Sequence, residues 1–217
     1  MHHGITVLKK GGKGRSFVIL HEQNRYFEFS NALFETLTSP DSVSQSKALL
    51  LSTEPITNSN WLVLSNSFRE LINSEGLRQA SFISFGAASS ITLHLALQEL
   101  KLVRSLILVD SATRPHPTLF SRIIDKLESF LPLGLPLRSL SKGFDAKSFL
   151  QRVRCPVLVV NSAACGAYLR AQAQVFHKEL PTGWLYQIAG NDDVRELTSM
   201  VLDFQKVPAK APQKNVA

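Results

Sequence analysis

The residues of this chain that could do chemistry sit at the ends of short apolar runs. The clearest case is Ala80-Ser81-Phe82-Ile83-Ser84-Phe85-Gly86-Ala87-Ala88-Ser89, an apolar strand running into small residues and then into an apolar helix. A sharp strand-to-helix turn of this kind raises a side chain above the end of a sheet, where acyl-transfer enzymes hold a nucleophile. The residue at this turn is Gly86, which has no side chain with which to attack a carbonyl. Glycine nevertheless suits the turn, because a nucleophile elbow holds its backbone in a strained conformation that glycine adopts at little cost. A second register, Phe82-Ile83-Ser84-Phe85-Gly86, half-fits G-x-S-x-G with Ser84 as nucleophile. It puts phenylalanine where the tight turn needs a small residue, so Ser84 is read as the small residue before the turn.

Other candidates lie at comparable places. His21, Glu22 and Gln23 follow the apolar run Phe17–Leu20, Asp110 follows Ser105–Val109, and Cys165 follows Val157–Val160. A thiol at a strand end becomes a nucleophile when a cation lowers its pKa. With no base nearby in sequence, Cys165 is read instead as a small buried residue. Asp192 and Asp193 could hold a cation, but adjacent carboxylates are more often a solvated turn or a helix N-terminal cap. His94 lies on an apolar helix and is read as packed. His116, between Pro115 and Pro117, and His177, beside Lys178, are read as surface residues.

The elements that must position these residues alternate. Strands are expected at Ile5–Lys9 (an edge), Phe17–Leu20, Ala48–Leu51, Ser81–Phe85, Ser105–Val109, Val157–Val160 and Trp184–Ile188. Helices are expected over Phe29–Leu37, around Phe68–Ile72, and over Ala87–Leu100, Ala167–Leu180 and Glu196–Phe204. Gly11-Gly12-Lys13-Gly14 reads as a turn and Gly76 as a helix stop. Strands alternating with helices imply an α/β fold: a three-layer α/β/α sandwich around a mostly parallel, twisted sheet of about seven strands. Residues 112–150 interrupt the rhythm as an insertion, with a helix near Leu119–Phe130 and an apolar, proline-containing stretch over 130–137. Residues 206–217 have too little apolar content to pack and are expected to be disordered. The expectation is one domain over 1–205, with the short insertion as a lid, and a basic tail.

This order resembles the α/β-hydrolase superfamily from about Phe17 to Phe204. Ser84-Phe85-Gly86-Ala87-Ala88-Ser89 falls on that family's Gly-His-Ser-x-Gly-Gly pattern. Gly76-Leu77 upstream and Val103-Arg104-Ser105-Leu106 downstream lie where members carry Gly-Leu and Val-Arg-Ser-Leu, which sets the nucleophile position at Gly86. The resemblance implies the acid position at Cys165, counted from Pro156, and the base position at Asp193, in the turn Ala189-Gly190-Asn191-Asp192-Asp193. All three triad positions are then substituted. It also implies an oxyanion hole of backbone N–H groups, here from Ala87 and about Gln23, with Glu22 in place of the usual glycine filling space or adding charge. Some members use an acid near Asp110, which would need a histidine partner.

Composition bounds the rest. The chain has 217 residues and a formal net charge of +7. Lys9, Lys10, Lys13 and Arg15 precede the first strongly apolar strand and Lys206, Lys210 and Lys214 lie in the tail, so the excess is read as terminal and solubilising. No aromatic–basic interleaving suggests a nucleic-acid module, and no apolar run is long enough to span a bilayer. The two cysteines fit a reducing compartment and lack zinc-site spacing, so a cytoplasmic protein without metal or cofactor is expected. The expected function is a non-catalytic ligand-binding, scaffold or complex-subunit protein. Its ligand-pocket candidates are His21, Glu22, Gln23, Phe85, Gly86, Ala87, Asp110 and Cys165, for a small apolar or carbonyl ligand. A protein partner could dock through 130–137. The alternative is an active enzyme of esterase, thioesterase, lyase or oxygenase type with an atypical site.

Overall fold

Runs of four or five consecutive apolar residues, too continuous for a sheet with one wet face, fold as strands buried on both sides. The computed structural model describes residues 3–23, 26–39, 46–57, 60–113, 145–162, 165–188 and 194–206. Within them the strands are β1 (Ile5–Gly11), β2 (Arg15–Glu22), β3 (Ser46–Thr53), β4 (Ala80–Phe85), β5 (Val103–Val109), β6 (Val157–Asn161) and β7 (Gly183–Gln187). The helices are α1 (Phe27–Thr38), α2 (Trp61–Ser74), α3 (Ser89–Gln98), α4 (Ala167–Glu179) and α5 (Val194–Phe204). The strands form one sheet in the order β1-β3-β2-β4-β5-β6-β7. Only the β1–β3 pairing is antiparallel.

The two-residue period of each strand divides the core between the faces of the sheet. Val18, Leu20, Phe82, Leu106, Leu108 and Val159 pack with residues of α2, α3 and α4. Their neighbours Ile19, Ile83, Phe85, Ile107, Val109 and Val160 pack with α1 and α5. Each such side chain, fully buried, contributes about 1.5–3 kcal/mol of transfer free energy. The result is the expected α/β/α sandwich, with right-handed crossovers that put α1 on one face and α2, α3 and α4 on the other.

Local differences from the sequence reading have physical causes. The helix expected to start at Ala87 begins as a 3₁₀ turn, Gly86–Ala88, and α3 runs only to Gln98. Gly11 belongs to β1, paired with Ala48, so the turn is one residue shorter. Gly76, at φ +65°, ends α2 as expected, its N–H donating to Asn73 O at 3.1 Å. At the ends of the 112–150 insertion, the Ala146 N–H donates to Thr113 O at 2.9 Å and Asp145 caps a 3₁₀ segment, Ala146–Arg152. The expected helix Leu119–Phe130, the apolar stretch 130–137 and the tail from 207 onward lie outside the described residues.

At the amino-terminal ends of the strands, three buried polar groups close a ring. The Ser105 hydroxyl donates to Ser81 Oγ (2.9 Å), Ser81 Oγ to Gln205 Oε1 (2.8 Å), and Gln205 Nε2 to Ser105 Oγ (3.0 Å). This ring pins the end of α5 beneath β4 and β5. Replacing Gln205 with leucine leaves the buried Ser81 hydroxyl proton without its acceptor and removes the donor to Ser105, so urea denaturation of Gln205→Leu is expected to show a loss of about 1–3 kcal/mol. An unchanged midpoint would mean that the ring does not hold α5.

Candidate functional site at the carboxyl edge of the sheet

The strand order reverses at β2, which sits between β3 and β4, so α1 and α2 leave on opposite faces. That topology opens a crevice beyond the carboxyl ends of β2 and β4, where ligands of open α/β sheets bind. β4 delivers Gly86 to this crevice. Phe85 is still extended (φ −113°, ψ 133°), whereas Gly86 is left-handed at φ +57°, and the chain turns within that residue into the 3₁₀ turn and α3. Ser84 faces the other way. It is fully buried, 2.8 Å from Thr92 Oγ1 and 3.1 Å from Ser89 Oγ. Ser89 in turn meets Ser111 Oγ at 2.5 Å, so a chain of hydroxyls ties β4, α3 and the end of β5 behind the turn.

Tyr26, which the sequence reading did not single out, covers the turn. It precedes α1 in a left-handed conformation (φ 59°), and its ring stacks on Phe85 with centroids 5.5 Å apart at 29°. Phe29 meets Phe85 edge-on at 5.7 Å. A Cβ placed on Gly86 would lie 3.2 Å from Tyr26 Cε2 and 4.0 Å from its hydroxyl oxygen. The ring therefore crowds the place where a side chain at residue 86 would begin, close enough that a Cβ there would make it give by a few tenths of an ångström. The only signal in sequence was the aromatic run Tyr26-Phe27-Glu28-Phe29 soon after the end of β2.

The β2 end is built otherwise than expected. His21 is buried, its Nδ1 3.0 Å from Glu22 O and its ring 5.9 Å from that of Phe27. Glu22 does not fill the crevice; its Oε1 accepts the Ile56 N–H at 2.9 Å and ties β2 to the loop after β3. The Gln23 N–H donates to Thr53 O at 2.6 Å, which extends the β2–β3 ladder and commits that donor to the sheet instead of to an oxyanion. The Ala87 N–H lies in the first turn of a helix, where N–H groups have no intrahelical acceptor.

Asp110 and Cys165 meet one strand further on. Phe85 pairs with Val109, so Asp110 lies level with Gly86 on the neighbouring strand. Asp110 is left-handed at φ 47°, a conformation that aspartate tolerates better than most residues. Its Oδ1 accepts the Ser162 N–H and its Oδ2 the Ser162 hydroxyl, both at 2.8 Å. The Cys165 N–H donates to Ser162 O at 3.1 Å. Burial pushes the Cys165 thiol above its ordinary pKa, the Asp110 carboxylate pushes it further, and Arg170 opposes both. Cys165 is thus a buried residue whose two largest influences both favour the thiol over the thiolate.

No protein-family profile matches the chain, and no curated protein sequence does. Solved structures do match. An esterase from Exiguobacterium antarcticum is similar with a TM-score of 0.69 at 14% identity, over 94% of this chain and 96% of that one. The enol-lactonase from Burkholderia xenovorans LB400 gives 0.67 at 12% identity over 94% and 96%. A lipase-esterase related protein from Clostridium acetobutylicum ATCC 824 gives 0.69 at 13% identity over 92% and 99%. This chain has the α/β-hydrolase fold.

Against that fold, Phe85, Gly86 and Ala87 come together with Tyr26 at the elbow, while Asp110 and Cys165 form a separate cluster around Ser162. Asp192 and Asp193, like His116, lie outside the described residues. His94 packs as expected: it is edge-on to Trp61 at 5.2 Å, and burial, with Arg69 nearby, lowers its pKa. His177 is exposed on α4. The other thiol, Cys155, is pushed up to about 12 by burial. Among the described residues no group of three or more His, Cys, Asp or Glu is arranged to hold a metal ion, and no helix is long and apolar enough to cross a membrane.

Two outcomes follow. Gly86→Ala forces an L-residue into the left-handed region at a cost of about 1–2 kcal/mol and presses on Tyr26. The cost is expected to fall when Tyr26→Ala is made first, in a double-mutant cycle read by urea denaturation; equal cost in both backgrounds would mean that the ring does not crowd residue 86. Asp110→Asn removes the negative neighbour of Cys165, so its thiol pKa falls and its alkylation by iodoacetamide at pH 8 speeds up while that of Cys155 does not. Unchanged relative rates, read by peptide mass spectrometry, would contradict the contact.

Proposed function

We propose that this protein uses the α/β-hydrolase fold to bind rather than to transform a ligand. The supporting observation is the elbow: its left-handed turn is present at Gly86, no side chain is there to attack, and Tyr26 stands over the place that one would take. In this reading Gly86, Cys165 and Asp193 occupy the nucleophile, acid and base positions. The crevice beside Gly86, Ala87 and the end of β2, with Phe85 buried beneath the Tyr26 ring, receives a small apolar or carbonyl-bearing group, and the 112–150 insertion serves as a short lid or as a contact for a protein partner. The two free cysteines support a reducing, cytoplasmic setting.

A second reading, an active enzyme with an atypical site, is favoured by Asp110: a buried carboxylate on the strand next to the elbow, within reach of a serine hydroxyl. The similar esterase and enol-lactonase make ester or lactone hydrolysis its natural form. The experiment that separates the two treats the purified chain with a fluorophosphonate probe and with short-chain p-nitrophenyl esters and thioesters. The binding reading expects no labelled serine and no turnover above buffer. Stoichiometric labelling at a single serine, lost on denaturation, would establish the enzyme instead.

A further inference from the structure

The register of the sheet gathers basic residues from distant parts of the sequence onto one face. Arg15 opens β2 opposite Ser46, and Lys47 follows in β3. Arg78 stands two residues before β4, Lys101 two before β5, Arg104 is the second residue of β5, and Arg154 lies three before β6. The parallel strands start nearly level, Ser16 pairing with Ala80, Ala80 with Val103 and Leu106 with Val157. These six side chains therefore line the amino-terminal edge of the sheet, at the end opposite Gly86. With strands about 4.8 Å apart, the row is on the order of 20 Å long. Lys47 is half-buried and the other five are exposed.

Basic residues from early and late in the described sequence reach the same edge. Gly11 pairs with Ala48, which puts the turn carrying Lys13 there. Gln205, bonded to Ser81 and Ser105, delivers Lys206 to it, and the sequence continues with Lys210 and Lys214. Of the charge read from the sequence as terminal, Lys10, Lys13, Arg15 and Lys206 thus belong to a folded face. Of the carboxylates at this edge, Glu75 is paired with Lys10 and Asp203 with Lys206, while Glu99 and Glu179 stand at the ends of α3 and α4. The opposite edge carries Glu22, Glu28, Glu54, Asp110, Asp145 and Glu196 against Lys147, Arg170 and Arg195. Among the described residues, the strand starts are basic and the surroundings of the elbow acidic.

We propose that the basic face docks this protein on an anionic lipid bilayer, with the elbow crevice turned away from the membrane. Charge complementarity supplies the attraction. Within the row, Leu100 is 57% exposed beside Lys101. A shallow depression between Lys10 and Lys47, with Glu75 also on its wall, is floored by Phe17 and Leu77. An aliphatic side chain protruding among cations suits the boundary between headgroups and acyl chains, whereas single-stranded nucleic acid calls for aromatic platforms along a basic groove.

The test is co-sedimentation of the full chain with vesicles of phosphatidylcholine containing about a third phosphatidylserine, at low and high salt. Binding is expected at low salt and loss of binding at high salt. The triple variant Arg78→Glu, Arg104→Glu, Arg154→Glu is expected to partition about a hundredfold more weakly, at roughly fivefold or more per basic residue. The control Arg170→Glu, Arg195→Glu, at the opposite edge, should bind as the parent does. Circular dichroism confirms that each variant is folded, and the glutamine version of the triple replaces the glutamate one if that fails to fold. No binding by the parent, undiminished binding by the folded triple variant, or capture of a single-stranded RNA oligonucleotide in preference to the vesicles would each overturn the proposal.

Discussion

At the end of β4 the chain leaves a buried strand and enters a helix that is almost wholly buried, and it turns between them at a single left-handed residue, Gly86. Only a residue without Cβ makes that corner at little conformational cost. The hydroxyls of Ser84, Thr92, Ser89 and Ser111 brace its inner side, and the stacked rings of Tyr26 and Phe85 close its outer side. Because nothing projects from residue 86, the tyrosine ring can lie against it. Because the ring lies there, a side chain added at 86 meets both backbone strain and a crowded neighbour. Turn and ring therefore form one arrangement, and the functional proposal rests on it.

The same polar economy runs along the carboxyl edge. Groups that could have been aimed into a crevice are used to fasten its walls: Glu22 to Ile56, the Gln23 N–H to Thr53, and Asp110 to Ser162. A buried carboxylate that accepts two hydrogen bonds from one residue is well satisfied. It sits beside a thiol whose proton it helps to retain, the opposite of what thiolate chemistry needs. At the other edge of the sheet, cations of the described residues collect.

Much of the fold was legible because fully buried parallel strands write themselves as unbroken apolar runs, as in Phe17–Leu20 and Leu106–Val109. Helix stops such as Gly76 carry their own signal. The elbow was legible because small residues set between an apolar strand and an apolar helix mark a tight corner, and the left-handed φ of Gly86 agrees with that reading. The 3₁₀ start of α3 was not, since Gly-Ala-Ala carries no pattern that separates one helical period from another. Tyr26 escaped because its importance comes from a long-range stacking contact. Ser162 escaped because its partner lies 52 residues away. The Gln23 N–H escaped because backbone hydrogen bonds leave no trace in side-chain type. The basic face was hidden for a related reason: Arg15, Arg78, Arg104 and Arg154 become neighbours only once strand order and register are known.

The central claim is that this elbow has no nucleophile, as distinct from one that Tyr26 merely covers. The direct measurement is intact-protein mass spectrometry of the Tyr26→Ala variant, quenched at short times after mixing with p-nitrophenyl acetate. With the ring gone the crevice is open, and the account predicts that the protein mass stays unchanged at every time point. A stoichiometric acetyl adduct on a side chain at the carboxyl edge of the sheet would contradict it.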